Sequence, residues 1–375
     1  MNAAQMRAAV LRERGTGPEL ALEQIPVPVP GPGEVLVEVA AFSLNNAEIL
    51  QTRGAMPAPP GGVPGLECAG TVVQVGTEVT RWHHGDRVAA LTRAGSYAEY
   101  VVVPAGACIA VPDDLDPVVA AAIPEAAATA WWNLVHRGRA APGDRVLVHG
   151  AAGGVGTIAV QLAAALGAQV VGTARGPVKA ALCAELGCAH VLDHTGADLF
   201  AELRELVPDG VDIVLDNQGA STLEDNLAVL APGGRLVVIG VAGGTSAVLD
   251  LGVLMARGVE ISSSSLGRLD DEMRAALCRE VEDNVLPHII TGRIRPVLDQ
   301  CHPFTELPTA IARFGAAERV GKVVVTVGPV SADPMQHNGT ISLHDDEGGS
   351  RMNLRSCDQR TPNPRQPNES HPDAG

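Results

Sequence analysis

Aromatic residues and lysine are both scarce in this sequence of 375 residues. Phe, Trp and Tyr make up only 2% of the chain, although 46% of its residues are hydrophobic. The core must therefore consist largely of small side chains, which suits helices packed closely on a sheet. The 27 lysines and arginines include only two lysines, Lys179 and Lys322. A GC-rich genome explains the scarcity of lysine, but it does not explain where these two lysines lie.

The sequence also lacks a net positive charge, long apolar runs and closely spaced cysteine pairs, and each absence argues against a class of protein. The formal net charge of −16 argues against nucleic acid or an anionic membrane as the main partner, because both need a basic face. No apolar run reaches the roughly 18 residues of a membrane span, and the first residues do not read as a signal peptide. The cysteine count of seven is odd, and none are spaced as C-x-x-C. We therefore expect a reduced, cytoplasmic protein.

The distribution of turn residues divides the chain into segments of different character. Residues 1–118 contain short apolar or alternating runs bounded by Gly, Pro and Asp, the pattern of a β-domain. In residues 119–262 strands alternate with Ala-rich helices, which predicts a parallel, doubly wound Rossmann sheet with right-handed crossovers. Residues 263–328 are too short to fold alone, so we expect them to complete the first domain. Residues 329–375 are rich in Pro, Asn, Ser and Asp, and we predict a disordered tail.

A glycine-rich turn joins a strand to a helix in the segment VLVHGAAGGVGTIAVQL, residues 146–162. Its spacing is a variant of the dinucleotide-binding G-x-G-x-x-G with alanine, Ala151, at the first place. Such a turn brings backbone N–H groups close to a pyrophosphate, and the helix adds its positive N-terminal end. The alternative is a tight turn that binds nothing. We predict cofactor contacts from these residues: Ala152, Gly153, Gly154, Val155 and Gly156.

The end of the second strand indicates which dinucleotide is bound. An NAD site usually offers Asp or Glu about 20 residues after the turn, where it binds the ribose hydroxyls. Here the strand ends in GTAR, residues 172–175, and Lys179 follows one helical turn later. Thr173, Arg175 and Lys179 would hold a 2′-phosphate, which a carboxylate would repel. The pattern predicts NADPH, the alternative being that the two cations are solvated surface charges.

These residues, together with other segments, resemble the medium-chain dehydrogenase/reductase superfamily, and within it the quinone oxidoreductase (zeta-crystallin-like) branch. The resemblance covers nearly all of residues 6–328 and rests also on GLECAGTVVQVG (65–76), GSYAEYVVVP (95–104) and GKVVVTV (321–327). It implies an α/β fold with a GroES-like β-domain, a Rossmann cofactor domain and an active site in the cleft between them. It also implies a homodimer in which Rossmann sheets pair edge to edge.

Zinc is implied for the alcohol dehydrogenase branch of that superfamily, where Cys, His and Cys or Asp commonly bind it. At the first of these places this chain has Asn45, and Leu66 stands where that branch has histidine before glutamate. Glu125 lies near the third place, and the four-cysteine structural lobe is missing. Glutamates without thiol or imidazole make a poor zinc site, so we expect no metal.

The resemblance also implies roles for individual residues in the cleft. It puts Asn45 there, where its amide would donate to a substrate carbonyl as negative charge develops. Thr129 and Asn217 would lie along the nicotinamide half of the cofactor, with Gly240 near it, and Lys322 would reach a cofactor phosphate. The alternative for each is a structural role as a cap or turn residue.

The function implied is an NADPH-dependent reduction of a quinone or other α,β-unsaturated carbonyl by direct hydride transfer. A second hypothesis is an enoyl-thioester reductase of lipid or polyketide metabolism. Some such enzymes use a tyrosine near the substrate, and residues 50–61 contain none. Tyr97 or Tyr100 could still approach from another strand. A third hypothesis is an NADPH-binding protein without turnover.

Overall fold

The computed structural model describes residues 4–15, 17–196 and 198–328. The predicted tail, residues 329–375, lies outside the described residues. No helix in the described ranges is long and apolar enough to cross a membrane.

The strands are short and divide into two groups along the chain. Their bounds are β1 (Gln5–Arg14), β2 (Gly17–Pro26), β3 (Glu34–Ser43), β4 (Glu67–Val75), β5 (Arg87–Leu91), β6 (Tyr100–Pro104), β7 (Cys108–Ala110), β8 (Arg145–Val148), β9 (Gln169–Ala174), β10 (Cys188–Asp193), β11 (Val211–Asp216), β12 (Leu230–Val238), β13 (Glu260–Ser263), β14 (Leu298–Pro303) and β15 (Lys322–Thr326).

The helices lie mostly after residue 115. Their bounds are α1 (Asn46–Thr52), α2 (Pro117–Ala120), α3 (Pro124–Trp131), α4 (Gly154–Ala165), α5 (Gly176–Glu185), α6 (Leu199–Leu206), α7 (Leu223–Val229), α8 (Leu251–Arg257), α9 (Asp271–Asn284), α10 (Leu286–Ile290) and α11 (Leu307–Phe314). A π-helical turn, Trp132–Arg137, continues α3.

The first sheet is built from both ends of the chain. Its order is β14-β15-β3-β4-β5-β7, and β6 also pairs with β3. The β1–β2 hairpin attaches through the Ala9 amide, which donates to the Tyr97 carbonyl at 2.8 Å. β15 runs antiparallel to β3. The carboxyl-terminal strand thereby brings Lys322 next to the end of β3, where α1 begins.

The second sheet is the predicted Rossmann sheet, with the order β10-β9-β8-β11-β12-β13 and every neighbouring pair parallel. Val146, Leu147 and Val148 of its central strand are fully buried, as expected for a strand covered by helices on both faces. The chain leaves β8 toward β10 on one side and returns to β11 on the other. Ligands of such sheets bind at this switch point, at the carboxyl ends of the strands. The predicted α/β fold class is confirmed.

Candidate active site and cofactor cleft

The glycine turn between β8 and α4 has no room for side chains. Gly150 has a φ of +65°, a conformation that favours glycine. A Cβ on Gly156 would collide with the Gly150 carbonyl oxygen and lie 2.9 Å from the Ala151 carbonyl carbon. α4 begins at Gly154 without a side-chain cap, so its first N–H groups have no side-chain partner there. This cradle fits the pyrophosphate of a dinucleotide.

Asn217 and Gly240 lie opposite this turn, across the switch point. Asn217 follows β11, and its side-chain amide lies where a Cβ on Gly150 would point. A Cβ on Gly240 would lie 3.0 Å from the Asn217 carbonyl oxygen. The structure therefore brings these two predicted residues together with the glycine turn.

The first domain contacts the turn directly through the start of β15. The Gly321 amide donates to the Ala152 carbonyl at 2.8 Å. A Cβ on Gly154 would lie 2.6 Å from Cδ of Lys322. The Lys322 side chain therefore passes beside the first turn of α4.

The ammonium group of Lys322 is bound inside the first domain. Its Nζ lies 2.5 Å from Oε1 of Glu67 and 2.6 Å from Oδ1 of Asn45. The Lys322 side chain is 5% exposed and that of Glu67 is fully buried, and Ser43 also donates to Glu67. The charge of Lys322 is thus already balanced by a buried carboxylate, and its contact with a cofactor phosphate stays a prediction.

Asn45 belongs to the same cluster, and its side-chain amide is engaged on both sides. The Nδ2 group donates to Glu67 at 3.0 Å and to Glu48 at 3.4 Å, while Oδ1 accepts from Lys322. A hydrogen bond from the Asn45 amide to a substrate carbonyl would have to replace one of these two hydrogen bonds. The role of Asn45 toward substrate stays a prediction, whereas its structural role is visible.

Two further carboxyl groups lie beside this cluster, and both have raised pKa values. Burial raises the pKa of Glu48 to about 7, and Oε1 of Glu48 accepts from the Leu66 amide at 3.0 Å. Burial, followed by the charges of Glu67 and Glu48, raises the pKa of Glu125 to about 8. The amide of Glu125 donates to Oε2 of Glu67 at 2.9 Å. Sequence reasoning considered Glu125 only as a poor metal ligand and missed its protonation state.

The donor set does not fit Zn²⁺, which binds to Cys, His or carboxylate ligands with one open position in catalytic sites. Glu67 is occupied by Lys322, Asn45, Ser43 and the Glu125 amide. Cys68, the nearest thiol along the chain, is buried, and burial raises its pKa to about 12. In the described ranges no group of three or more His, Cys, Asp or Glu side chains is arranged to hold a metal.

The predicted phosphate-binding cations lie where α5 begins. Arg175 is the N-cap residue of α5 and is exposed. Lys179 donates to the Ala317 carbonyl at 2.7 Å, and burial followed by the charges of Arg319 and Arg175 lowers the pKa of Lys179. Arg319 is therefore a third cation near this corner, which sequence reasoning missed because it is distant along the chain.

Thr173 and Asp193 also bear on the predicted 2′-phosphate site at the start of α5. Thr173 is 1% exposed, and its hydroxyl accepts from the Gly150 amide at 3.2 Å, so it supports the glycine turn. Asp193 ends β10 and was missed by sequence reasoning; its carboxylate accepts from the Gly176 amide at 2.9 Å. Hydrogen bonds from Thr195 and Gly176 lower the pKa of Asp193 to about 2. A 2′-phosphate here would meet Arg175 and Lys179, with Arg319 nearby, and one carboxylate already occupied by local donors.

A cavity of about 520 Å³ opens at the carboxyl edge of the Rossmann sheet. Its lining includes Thr173 near the end of β9, Phe200 of α6, and three residues that follow β8, β10 and β11: His149, His194 and Gln218. This volume lies in the range of small-molecule sites. Gly150 of the glycine turn also lines this cavity.

The two tyrosines occupy different environments. Tyr97 is fully buried and stacks on Phe42 with ring centroids 4.4 Å apart. The Tyr100 hydroxyl donates to Glu38 at 3.0 Å, on a surface lined by Arg7 and Glu99. Tyr100 therefore does not contribute to the cleft described above.

Comparisons with known proteins match both halves of the chain. The model of the alcohol dehydrogenase GroES-like domain matches residues 31–113, and that of the zinc-binding dehydrogenase matches residues 154–282. The human synaptic vesicle membrane protein VAT-1 homolog is 33% identical over 346 residues, which is 86% of this chain and 87% of that protein. The chain belongs to the medium-chain dehydrogenase/reductase superfamily. It is an oxidoreductase of a family whose Rossmann domain binds a nicotinamide cofactor.

Other relatives differ in length and in named activity. A Mycobacterium tuberculosis mycocerosic acid synthase-like polyketide synthase is 35% identical over 312 residues, 82% of this chain but only 14% of the synthase. The solved quinone oxidoreductase of Pseudomonas syringae pv. tomato DC3000 has a TM-score of 0.77 at 30% identity, covering 86% of this chain and all of that chain. The CurK enoyl reductase has a TM-score of 0.76 at 29% identity, with 86% and 99% covered. A mycobacterial protein complexed with NADPH has a TM-score of 0.76 at 31% identity, with 86% and 100% covered.

Proposed function

We propose that this protein is an NADPH-dependent reductase of quinones or other α,β-unsaturated carbonyls that works without a metal. The observation that carries the proposal is the contact between the α4 glycine cradle and the cluster of Lys322, Glu67 and Asn45. In that contact, a polar cluster whose Glu67 carboxylate is already engaged lies beside the predicted cofactor cradle. The likeness to a solved quinone oxidoreductase supports the substrate class.

When bound, NADPH supplies the hydride, and the chain supplies binding and polarity. The N–H groups of residues 152–156 and the N-terminal end of α4 would hold the pyrophosphate. Asn217, Gly240 and Thr129 would line the nicotinamide half. Asn45 would polarise the substrate carbonyl after releasing one of its present acceptors.

The choice of NADPH over NADH rests on Arg175 and Lys179, with Thr173 beside them. Replacing both cations in R175A/K179A should raise the Kd for NADPH at least about 10-fold, a modest loss for two charged contacts that solvent screens. The Kd for NADH should stay within twofold, because NADH carries no 2′-phosphate. Fluorescence titration with both cofactors measures this, with R12A, an exposed arginine on the β1–β2 hairpin, as control. Equal affinity of the wild type for NADPH and NADH would refute the proposal that Arg175 and Lys179 bind the 2′-phosphate.

Activity is tested in the same cuvette after metal analysis of the purified protein. NADPH oxidation is followed with 1,4-benzoquinone and with 2-methylcyclohex-2-en-1-one, each against a blank without protein. We expect turnover that neither EDTA removal of metal nor added Zn²⁺ changes. Turnover that appears only with Zn²⁺ would refute the metal-free proposal, and absence of turnover with both acceptors would refute the substrate class.

Enoyl-thioester reduction is the second candidate, favoured by the likeness to the CurK enoyl reductase and to a segment of a polyketide synthase. Crotonyl-CoA distinguishes it: a kcat/KM for crotonyl-CoA far above that for both simple acceptors would establish this alternative. Cofactor binding without oxidation of any acceptor would indicate the third hypothesis, a protein that binds NADPH without turnover.

We also propose a homodimer that pairs Rossmann sheets at the edge strand β13, which within the described ranges pairs only with β12. Near this edge the side chains of Val248, Leu251 and Met255 are 96%, 65% and 85% exposed, and unpaired apolar edges favour association. M255K should shift the protein toward monomer in analytical ultracentrifugation, whereas V29K, at another exposed apolar residue, should not. A wild-type monomer would refute the dimer. A cytoplasmic location is proposed as well, in keeping with six free cysteines among the described residues, and cell fractionation tests it.

A further inference from the structure

One side of α3 carries partly exposed residues, while most of the helix is buried. Glu125 and Thr129 are partly exposed, whereas Ala126, Ala127, Ala128 and Ala130 are buried. Residues four apart lie on the same side of a helix, about one turn from each other. Thr129 is proposed to line the nicotinamide half, so the Glu125 carboxyl would lie about 5 Å along the helix from that position.

The main chain of Glu125 is fixed while its carboxyl group is unengaged. The amide donates to Glu67, which ties the start of α3 to Lys322 and thus to the glycine cradle. In the part of the chain that the structure describes, the Glu125 carboxyl makes no hydrogen bond or ion pair. A carboxyl group on a partly exposed residue, anchored through its backbone to the cluster beside the glycine turn, is available to a bound substrate.

The groups around Glu125 favour its protonated form at neutral pH. Glu67 on β4 and Glu48 beside it on α1 repel a carboxylate there, whereas Lys322 on β15 and Arg274 on α9 attract one. Burial is the largest cause and this repulsion comes second; together they raise the pKa of Glu125 to about 8. A group that is protonated near pH 7 and titrates slightly above it suits general acid catalysis.

We propose that Glu125 is the proton donor of the reduction, an assignment that rests on the proposed function. With an enone, the hydride of NADPH bonds to the β-carbon, and the C=C electron pair moves to give an enolate and NADP⁺. The proton of Glu125 then bonds to the α-carbon, leaving a saturated carbonyl and the Glu125 carboxylate. With a quinone the same proton goes to the oxygen of the hydroquinone anion. Solvent reprotonates Glu125, which is partly exposed.

The test compares wild type, Glu125→Gln and the control Glu272→Gln, an equal change in the exposed first turn of α9. The substrate 2-methylcyclohex-2-en-1-one becomes chiral at the α-carbon, so the enantiomers of 2-methylcyclohexanone report which group delivered the proton. NADPH titration measures folding and cofactor binding, and the rate comparison is repeated with 1,4-benzoquinone.

For E125Q we expect a loss of kcat/KM of about 100-fold or more, a Kd for NADPH within twofold of wild type, and a nearly racemic product. Wild type and E272Q should give one enantiomer, and their kcat/KM should fall as pH rises through about 8. An E125Q variant that retains rate and enantiomer, while wild type is active, would overturn this assignment alone. If E125Q does not bind NADPH, a racemic wild-type product or a flat wild-type pH profile overturns it. A wild type inactive toward all quinones and enones overturns the proposed function and this assignment with it.

Discussion

Replacing Lys322 with methionine would test the buried ion pair at the centre of the cleft. Methionine keeps most of the aliphatic stem that lies against Gly154 but removes the ammonium group, 2.5 Å from Glu67. The Glu67 side chain is fully buried, so its charge would lose its main partner. Removing one member of such a pair typically destabilises a protein by about 3 to 5 kcal/mol.

The expected change is large enough for differential scanning fluorimetry. At about 2 °C per kcal/mol, the Tm of K322M should fall by at least about 6 °C. The double variant K322M/E67Q should recover part of this loss, because glutamine is uncharged and its carbonyl oxygen can still accept hydrogen bonds from Ser43 and Asn45, although its NH2 group then faces the Glu125 amide. The matched control is R12M, which breaks the exposed Arg12–Glu23 pair, 2.8 Å long with side chains 52% and 30% exposed, and should change the Tm little.

Two results would refute the reasoning about Lys322. One is a Tm of K322M close to that of R12M, which would mean that solvent reaches Glu67. The other is a double variant no more stable than K322M, which would mean that the loss comes from packing and not from the uncompensated charge.

Three further changes have expected outcomes. G156A should raise the Kd for NADPH at least 10-fold, because the new Cβ collides with the Gly150 backbone. The control G267A, whose Cβ has space, should leave the Kd unchanged. Equal affinity of both variants for NADPH would show that the turn can rearrange to accommodate the Cβ. E48Q should stabilise the protein relative to wild type progressively as pH rises from 4.5 to 7, by up to about 3 kcal/mol above pH 7. The reason is that the raised pKa of Glu48 (about 7) makes its ionisation costly in the folded state. Urea unfolding at pH 5 and pH 8 checks this, and a difference in unfolding free energy between E48Q and wild type that does not change with pH would contradict it. Y97F should leave turnover within twofold and the Tm equal or higher, because among the described residues the buried Tyr97 hydroxyl has no hydrogen-bond partner; a large loss of activity would instead give tyrosine a catalytic role.

The sequence by itself determined the fold class and the strand–turn–helix in which we predict the cofactor cradle. Both depend on local signals: the strand–turn–helix around Gly156 and the alternation of apolar strands with Ala-rich helices. The steric need for glycine at Gly150 and Gly156 acts between residues six apart, which a short motif records. These local signals therefore suffice to identify the superfamily from the sequence.

Only the tertiary structure decided which partners the polar residues of the cleft have and how they are protonated. Lys322 and Glu67 are 255 positions apart and meet because β15 pairs with β3, next to β4. No local pattern shows that Lys322 is paired with Glu67 there, that Asn45 already uses its amide donors, or that Thr173 supports the turn. The protonation of Glu125 also depends on charges brought from several strands and helices, since electrostatic interactions act through space and not along the chain.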